Sequence, residues 1–148
     1  MEKTEGLSME NREIMDMDPL CILLCDVLNS VSGIKTTESC CGHGKAPYRI
    51  WFKCLKNDSY GLSIITRAID RRYSNTNLVW TIRMETVDTI DPGYTSASFL
   101  LESDRPYLTE DEINQDINQI IDNISYWGKP EYGEFFGMMT FYSPRIKF

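Results

Sequence analysis

Apolar and polar positions alternate along this chain with periods that mark helices in some segments and strands in others. Asp18-Pro19 opens the first helix: an acidic N-cap followed by proline at the first helical position, where its missing N–H costs nothing. Leu20, Leu23, Leu24, Val27, Leu28 and Val31 follow at helical spacing and give one broad apolar face. Ser32-Gly33 ends the helix, with Gly33 able to take the left-handed cap conformation. Cys21 and Cys25 lie one turn apart on it, where packing is their simplest role. Ile34 to Cys40 reads as a short strand, and Cys41 to Pro47 as a glycine-punctuated loop. Residues 48–55 alternate, with Tyr48, Ile50, Phe52 and Cys54 toward the core and Arg49, Trp51, Lys53 and Leu55 on the other face.

Asn57-Asp58-Ser59 supplies a turn and an N-cap for a second helix to about Tyr73, with a buried stripe of Leu62, Ile65, Ala68, Ile69 and Tyr73. A strand from about Leu78 to Val87, a turn through Asp88–Gly93 and a strand from Tyr94 to about Glu102 form an antiparallel hairpin. Thr109 and Glu112 make a capping box for the last helix, whose apolar stripe is Ile113, Ile117, Ile120, Ile121 and Ile124, extended by Trp127. Glu110, Asp111 and Asp116 read as a solvated acidic face, and Gly128 and Pro130 end the helix. The order α-β-β-α-β-β-α predicts an α+β fold, a mostly antiparallel sheet with three helices packed on a face. Residues 1–15, polar and aperiodic, read as a flexible arm, and residues 16–148 as a single domain. The aromatic tail through Phe135, Phe136, Phe141, Tyr142 and Phe148 suits a further strand, an edge cover or a partner interface. A homodimer through a sheet edge or residues 130–148 is one expectation.

Composition narrows the function classes. A chain of 148 residues with 42% hydrophobic content can bury the core of one domain and is not wholly disordered. The net charge of -7 opposes an extended nucleic-acid groove, although Arg67, Arg71 and Arg72 could hold an anion locally. No signal peptide or membrane-spanning run is legible, which predicts a cytoplasmic protein with no membrane partner. Five cysteines, two of them adjacent, suit reduced thiols rather than a disulfide scaffold.

The densest chemistry lies in Ser39-Cys40-Cys41-Gly42-His43-Gly44-Lys45. Cys41 and His43 are the catalytic candidates, since His43 is the only histidine and a cysteine needing an imidazole base has no other. Contact between them requires the turn to fold back, and Glu38 or an acid elsewhere would orient the ring. Cys41 is the expected exposed thiol because it adjoins the first glycine. Ser39, Cys40, Gly42, Gly44 and Lys45 are candidate ligand contacts, the glycines by exposing amides and the lysine by its charge. Arg67 and Arg71 would join them if the second helix packs beyond the loop. Zinc could draw on Cys40, Cys41 and His43 with a remote Cys54, Cys25 or Cys21. Adjacent cysteines would strain a shared tetrahedral shell, however, and no metal is assigned. Adjacent cysteines are also poorly spaced for dithiol exchange, and Cys54 reads as a buried small hydrophobe.

The stretch Thr36-Thr37-Glu38-Ser39-Cys40-Cys41-Gly42-His43-Gly44 resembles small bacterial and phage proteins that share a Ser-Cys-Cys-Gly-His-Gly signature followed by a strand. It is distantly similar to the wybutosine-synthesis methyltransferase (TYW3-like) family, in which a strand leads to Ser-Cys-Ser-Gly. Ser39, Cys40 and Gly42 match, while Cys41 replaces the second serine and His43 the usual arginine. The resemblance implies a related α+β architecture and S-adenosylmethionine-dependent methylation of a modified guanosine in tRNA, against which the acidic balance stands. Fold kinship alone assigns no reaction. Two expectations result: a small anionic or nucleotide-like ligand at the loop, held by a methyltransferase-like enzyme, or a non-catalytic interaction module in which the loop is structural.

Overall fold

The computed structural model describes residues 17–55, 60–87 and 94–129. Helix α1 spans Pro19–Ser30, strand β1 Ile34–Cys40, a short 3-10 turn Gly42–Gly44, and strand β2 Arg49–Leu55. Helix α2 (Tyr60–Ile69), strands β3 (Trp80–Val87) and β4 (Tyr94–Ser103) and helix α3 (Glu110–Trp127) complete the order. The strands form one antiparallel sheet in the order β1-β2-β4-β3. The α+β class and the element order expected from periodicity are both present. Residues 1–15, the segment Asn57–Ser59, the turn at 88–93 and the aromatic tail lie outside the described residues. Among those described, no helix is long and apolar enough to cross a membrane.

The core lies between the sheet and its helices. Tyr48, Ile50, Phe52 and Cys54 are all buried there as the alternation predicts, with Leu24 and Leu28 of α1, Ile65 and Ala68 of α2, and Ile113, Ile117, Ile120 and Ile124 of α3. Cys21, Cys25 and Cys54 are buried free thiols, as packing requires. Burial pushes the Cys21 thiol up to about 12. Helix α2 is shorter than its periodicity suggests. It ends at Ile69 because the Asp70 carboxylate accepts the Arg72 amide two residues on and the Asp70 carbonyl accepts from Tyr73 and Ser74. Tyr73 is therefore exposed rather than part of the buried stripe, and Leu62 is only half-buried.

Two further corrections come from α3. Asp116 is 1% exposed, not on a solvated face. It stands three residues after Ile113 and four before Ile120, which places it on the apolar side of the helix. Its carboxylate accepts from the amides of Asn77 (2.6 Å) and Leu78 (2.8 Å) and from the Trp80 indole (2.9 Å). The capping box is half-formed: the Glu112 amide donates to Thr109 Oγ1, but the Glu112 carboxylate takes the Leu108 amide and the Arg105 guanidinium.

Strand β1 carries the irregularity that shapes the loop. Thr36 pairs with Phe52 and Glu38 with Trp51, so Thr37 is an extra residue between two paired ones. The Thr36 amide turns to Asn29 Oδ1, whose amide group donates back to Thr36 Oγ1, which ties the bulge to the end of α1. A one-residue bulge inverts which side chains face the core. Ser39 is thereby opposite core-facing Ile50, and Cys40 opposite outward-facing Arg49.

Candidate functional site

The bulge decides which of the adjacent thiols is exposed. Cys41 turns inward and is 1% exposed, whereas Cys40 is half-exposed, the reverse of the expectation that Cys41 is the open thiol. Without the extra residue at Thr37, strict alternation from Ile34 would have placed Cys40 inside. Ser39, on the inner face, lies close enough to the thiols of Cys21 and Cys25 to offset part of the effect of their burial.

Beyond Cys41 the chain folds back through three successive left-handed residues, Gly42 (φ 78°), His43 (φ 54°) and Gly44 (φ 73°). At Gly42 the choice of glycine is forced twice, since a Cβ would also stand 2.8 Å from the Pro47 carbonyl oxygen. The amides of Lys45 and Ala46 close the turn on the Gly42 carbonyl. This reversal lets residues two apart meet. The His43 amide donates to Cys41 Sγ at 3.3 Å, and His43 Nδ1 lies 3.6 Å from the same sulfur. The Tyr107 hydroxyl approaches that sulfur at 3.9 Å from the loop before α3.

A third group arrives from a distant part of the chain. Asp18 caps α1, with Oδ1 accepting the Leu20 amide at 3.1 Å. The Tyr48 hydroxyl donates to the Leu20 carbonyl at 2.9 Å and ties this first turn to the segment that enters β2. Asp18 Oδ2 is thereby placed 3.6 Å from His43 Nε2. That oxygen is buried and no hydrogen bond of ordinary geometry closes on it. One atom each of Asp18, Cys41 and His43 (a carboxylate oxygen, the sulfur and an imidazole nitrogen) lie within 4.8 Å of one another. The acid beside the imidazole is thus Asp18; Glu38 is exposed and borders a separate small depression with Trp51 and Glu85.

Electrostatics sets the resting state of these groups. Burial raises the Asp18 carboxyl, but the neighbouring Cys41 thiol, the Leu20 and Cys41 amides and His43 together hold it below its ordinary value. Burial lifts the Cys41 thiol, and the Asp18 carboxylate lifts it further, against smaller opposing effects of the His43 amide and Tyr107. The resting sulfur is a thiol, not a pre-formed thiolate. Burial and Cys41 push the Tyr107 phenol up to about 12.

The site opens to solvent through a depression of about 470 Å³ lined by Met17, Asp18, Pro19, Ser39, Cys40 and His43. His43 is 71% exposed at its rim, while Cys41 lies behind it. Of the residues singled out in the sequence, Ser39, Cys40, Cys41, Gly42, His43 and Gly44 are brought together. Lys45 caps the turn and is exposed. Arg67 and Arg71 are not brought to the loop. Arg67 stacks over Trp127 at the C-terminal end of α3, whereas the loop packs on Tyr107 just before its start, and an 18-residue helix spans about 27 Å. Asp18 is the residue that sequence reasoning took only as a helix cap. Local pattern marks a cap and a loop separately, and only the packing of α1 on β1, with the Tyr48 bond to Leu20, brings them together. Comparison with protein-family models, with curated proteins and with solved structures finds no match for the chain.

Proposed function

We propose that the chain binds a divalent transition-metal cation of the zinc class, held by Asp18, Cys41 and His43. The observation that carries this reading is the approach of one oxygen, one sulfur and one nitrogen donor within 4.8 Å of one another, with Asp18 Oδ2 buried beside His43 and closed by no hydrogen bond of ordinary geometry. Leaving a carboxylate oxygen in that condition is costly unless a cation answers it. A mixed sulfur, nitrogen and oxygen set suits borderline-soft ions. Ionised Asp18 and Cys41 together would neutralise a divalent charge.

A thiol nucleophile with His43 as its base is the competing chemistry, and the geometry supports it less well. Its attacking sulfur would be almost wholly buried, and the carboxylate would stand against the thiol as well as the imidazole, opposing thiolate formation. Methyl transfer, implied by the TYW3-like resemblance, gains little from a depression that is open and shallow rather than a cleft enclosing an adenosyl group.

The test is zinc titration of the metal-free chain against a chromophoric chelator. One ion per chain is expected, with affinity falling at least about tenfold in each of Asp18→Asn, Cys41→Ser and His43→Gln, and little changed in Lys45→Gln. Circular dichroism would check that each variant is folded. Substoichiometric binding, or binding indifferent to all three ligand variants, would overturn the assignment. Thiol alkylation supplies a second readout: Cys40 should react readily with or without zinc, and Cys41 slowly without it and still more slowly with it.

A further inference from the structure

Resting on that reading, we infer that the cation keeps one coordination position turned toward the depression, where a small anionic ligand with an oxygen or sulfur donor completes its shell. Zinc-class ions take four ligands, and sites with three protein donors fill the fourth from solution. Among the described residues, the cluster contains three candidate donors and no fourth carboxylate, thiol or imidazole. Cys40, the nearest further thiol in the chain, stands outside this group and forms part of the depression wall. Tyr107 approaches Cys41, the buried member, rather than lining the depression.

The position left over is therefore the one facing solvent, where Asp18 and His43 border the opening. The volume suits a small molecule, not a polymer. Its walls join the apolar Met17 and Pro19 to the polar Ser39 and Cys40, which fits a short ligand with an anionic tip and an aliphatic body. Coordination also resolves an electrostatic conflict. A bare anion entering here would meet the Asp18 carboxylate, whereas one reaching a bound cation is attracted to it.

Cobalt(II) substitution of the full chain tests this, because its visible bands report coordination number and its near-ultraviolet charge-transfer bands report thiolate ligands. One arm titrates the cobalt-loaded chain with 2-mercaptoethanol, the other with acetate. Saturable change in the visible bands in either arm supports the inference, and a further thiolate band in the first identifies sulfur as the preferred donor. Met17→Trp, which narrows the depression, should weaken that response about tenfold while cobalt is still bound. Cobalt uptake with bands unmoved in both arms would sink this inference and leave the metal site standing. Failure to take up cobalt or zinc would remove the metal reading itself. A response unaltered in Met17→Trp would show that the ligand does not enter through the depression.

Discussion

His43 has a left-handed backbone, which an L-residue adopts at a cost of roughly 1 kcal/mol relative to glycine. Its imidazole is mostly exposed and recovers little of that by packing. In metal-free buffer, His43→Gly should therefore raise the unfolding free energy measured in urea by up to about 1 kcal/mol, whereas His43→Ala, which keeps the backbone cost, should not. Both variants should lose zinc. A destabilised glycine variant would mean that the ring contributes more to folding than its exposure suggests. At this scale the sequence was legible in part. The glycines around His43 announce a reversal, and the reversal is what brings Cys41 and His43 together. The inward turn of Cys41 was not legible, because it depends on a single extra residue at Thr37 that no alternation rule reveals.

Secondary-structure elements were the most legible level, since they follow from periodicity that the chain carries openly. Strand β1 and the Asp18-Pro19 start of α1 lie where the pattern puts them. Errors arose where a polar side chain served a distant backbone. Asp116 resembles a surface acid until one notes that it shares a face with Ile113 and Ile120, and its partners at Asn77, Leu78 and Trp80 lie far away in sequence. Asp116→Ala leaves three donors without an acceptor, at about 1–3 kcal/mol for each that stays buried. A loss of more than about 3 kcal/mol in denaturant unfolding is expected, and Asp116→Asn should lose less because one acceptor oxygen remains. A loss below about 1 kcal/mol for Asp116→Ala would mean that water replaces the carboxylate at little cost. Helix α2 teaches the same lesson about boundaries: its apolar spacing continues to Tyr73, but Asp70 diverts the backbone first.

For the whole molecule, acid response follows from paired carboxylates. The Arg105 guanidinium and the Leu108 amide hold Glu112 below its ordinary 4.5, and the Arg72 side chain and amide hold Asp70 below its ordinary 3.8. Depressed folded values contribute stability that is complete above the ordinary values and lost as pH falls through the lowered ones. The thermal midpoint of metal-free protein should accordingly fall as pH drops below about 4.5, with Glu112→Gln showing a shallower decline and a lower midpoint at neutral pH. An identical slope in the variant would remove Glu112 from the account. The α+β architecture was readable because each helix and strand advertises its own buried face. The candidate site was half readable, since its loop is a local motif but its carboxylate comes from the opposite end of a helix–strand unit.

That unit gives Asp18 a second significance. One oxygen starts α1 and the other faces the site, while Cys41 and His43 stand just past the end of β1. A cation bridging them would close a ring of chain containing the whole of α1 and β1, and would restrict the unfolded ensemble as a reversible clasp does. Strand β1 lies at the edge of the sheet, with β2 as its neighbour among the described residues. The clasp would fasten an element that the sheet holds from one side only, so that metal supply would set how firmly this edge is shut.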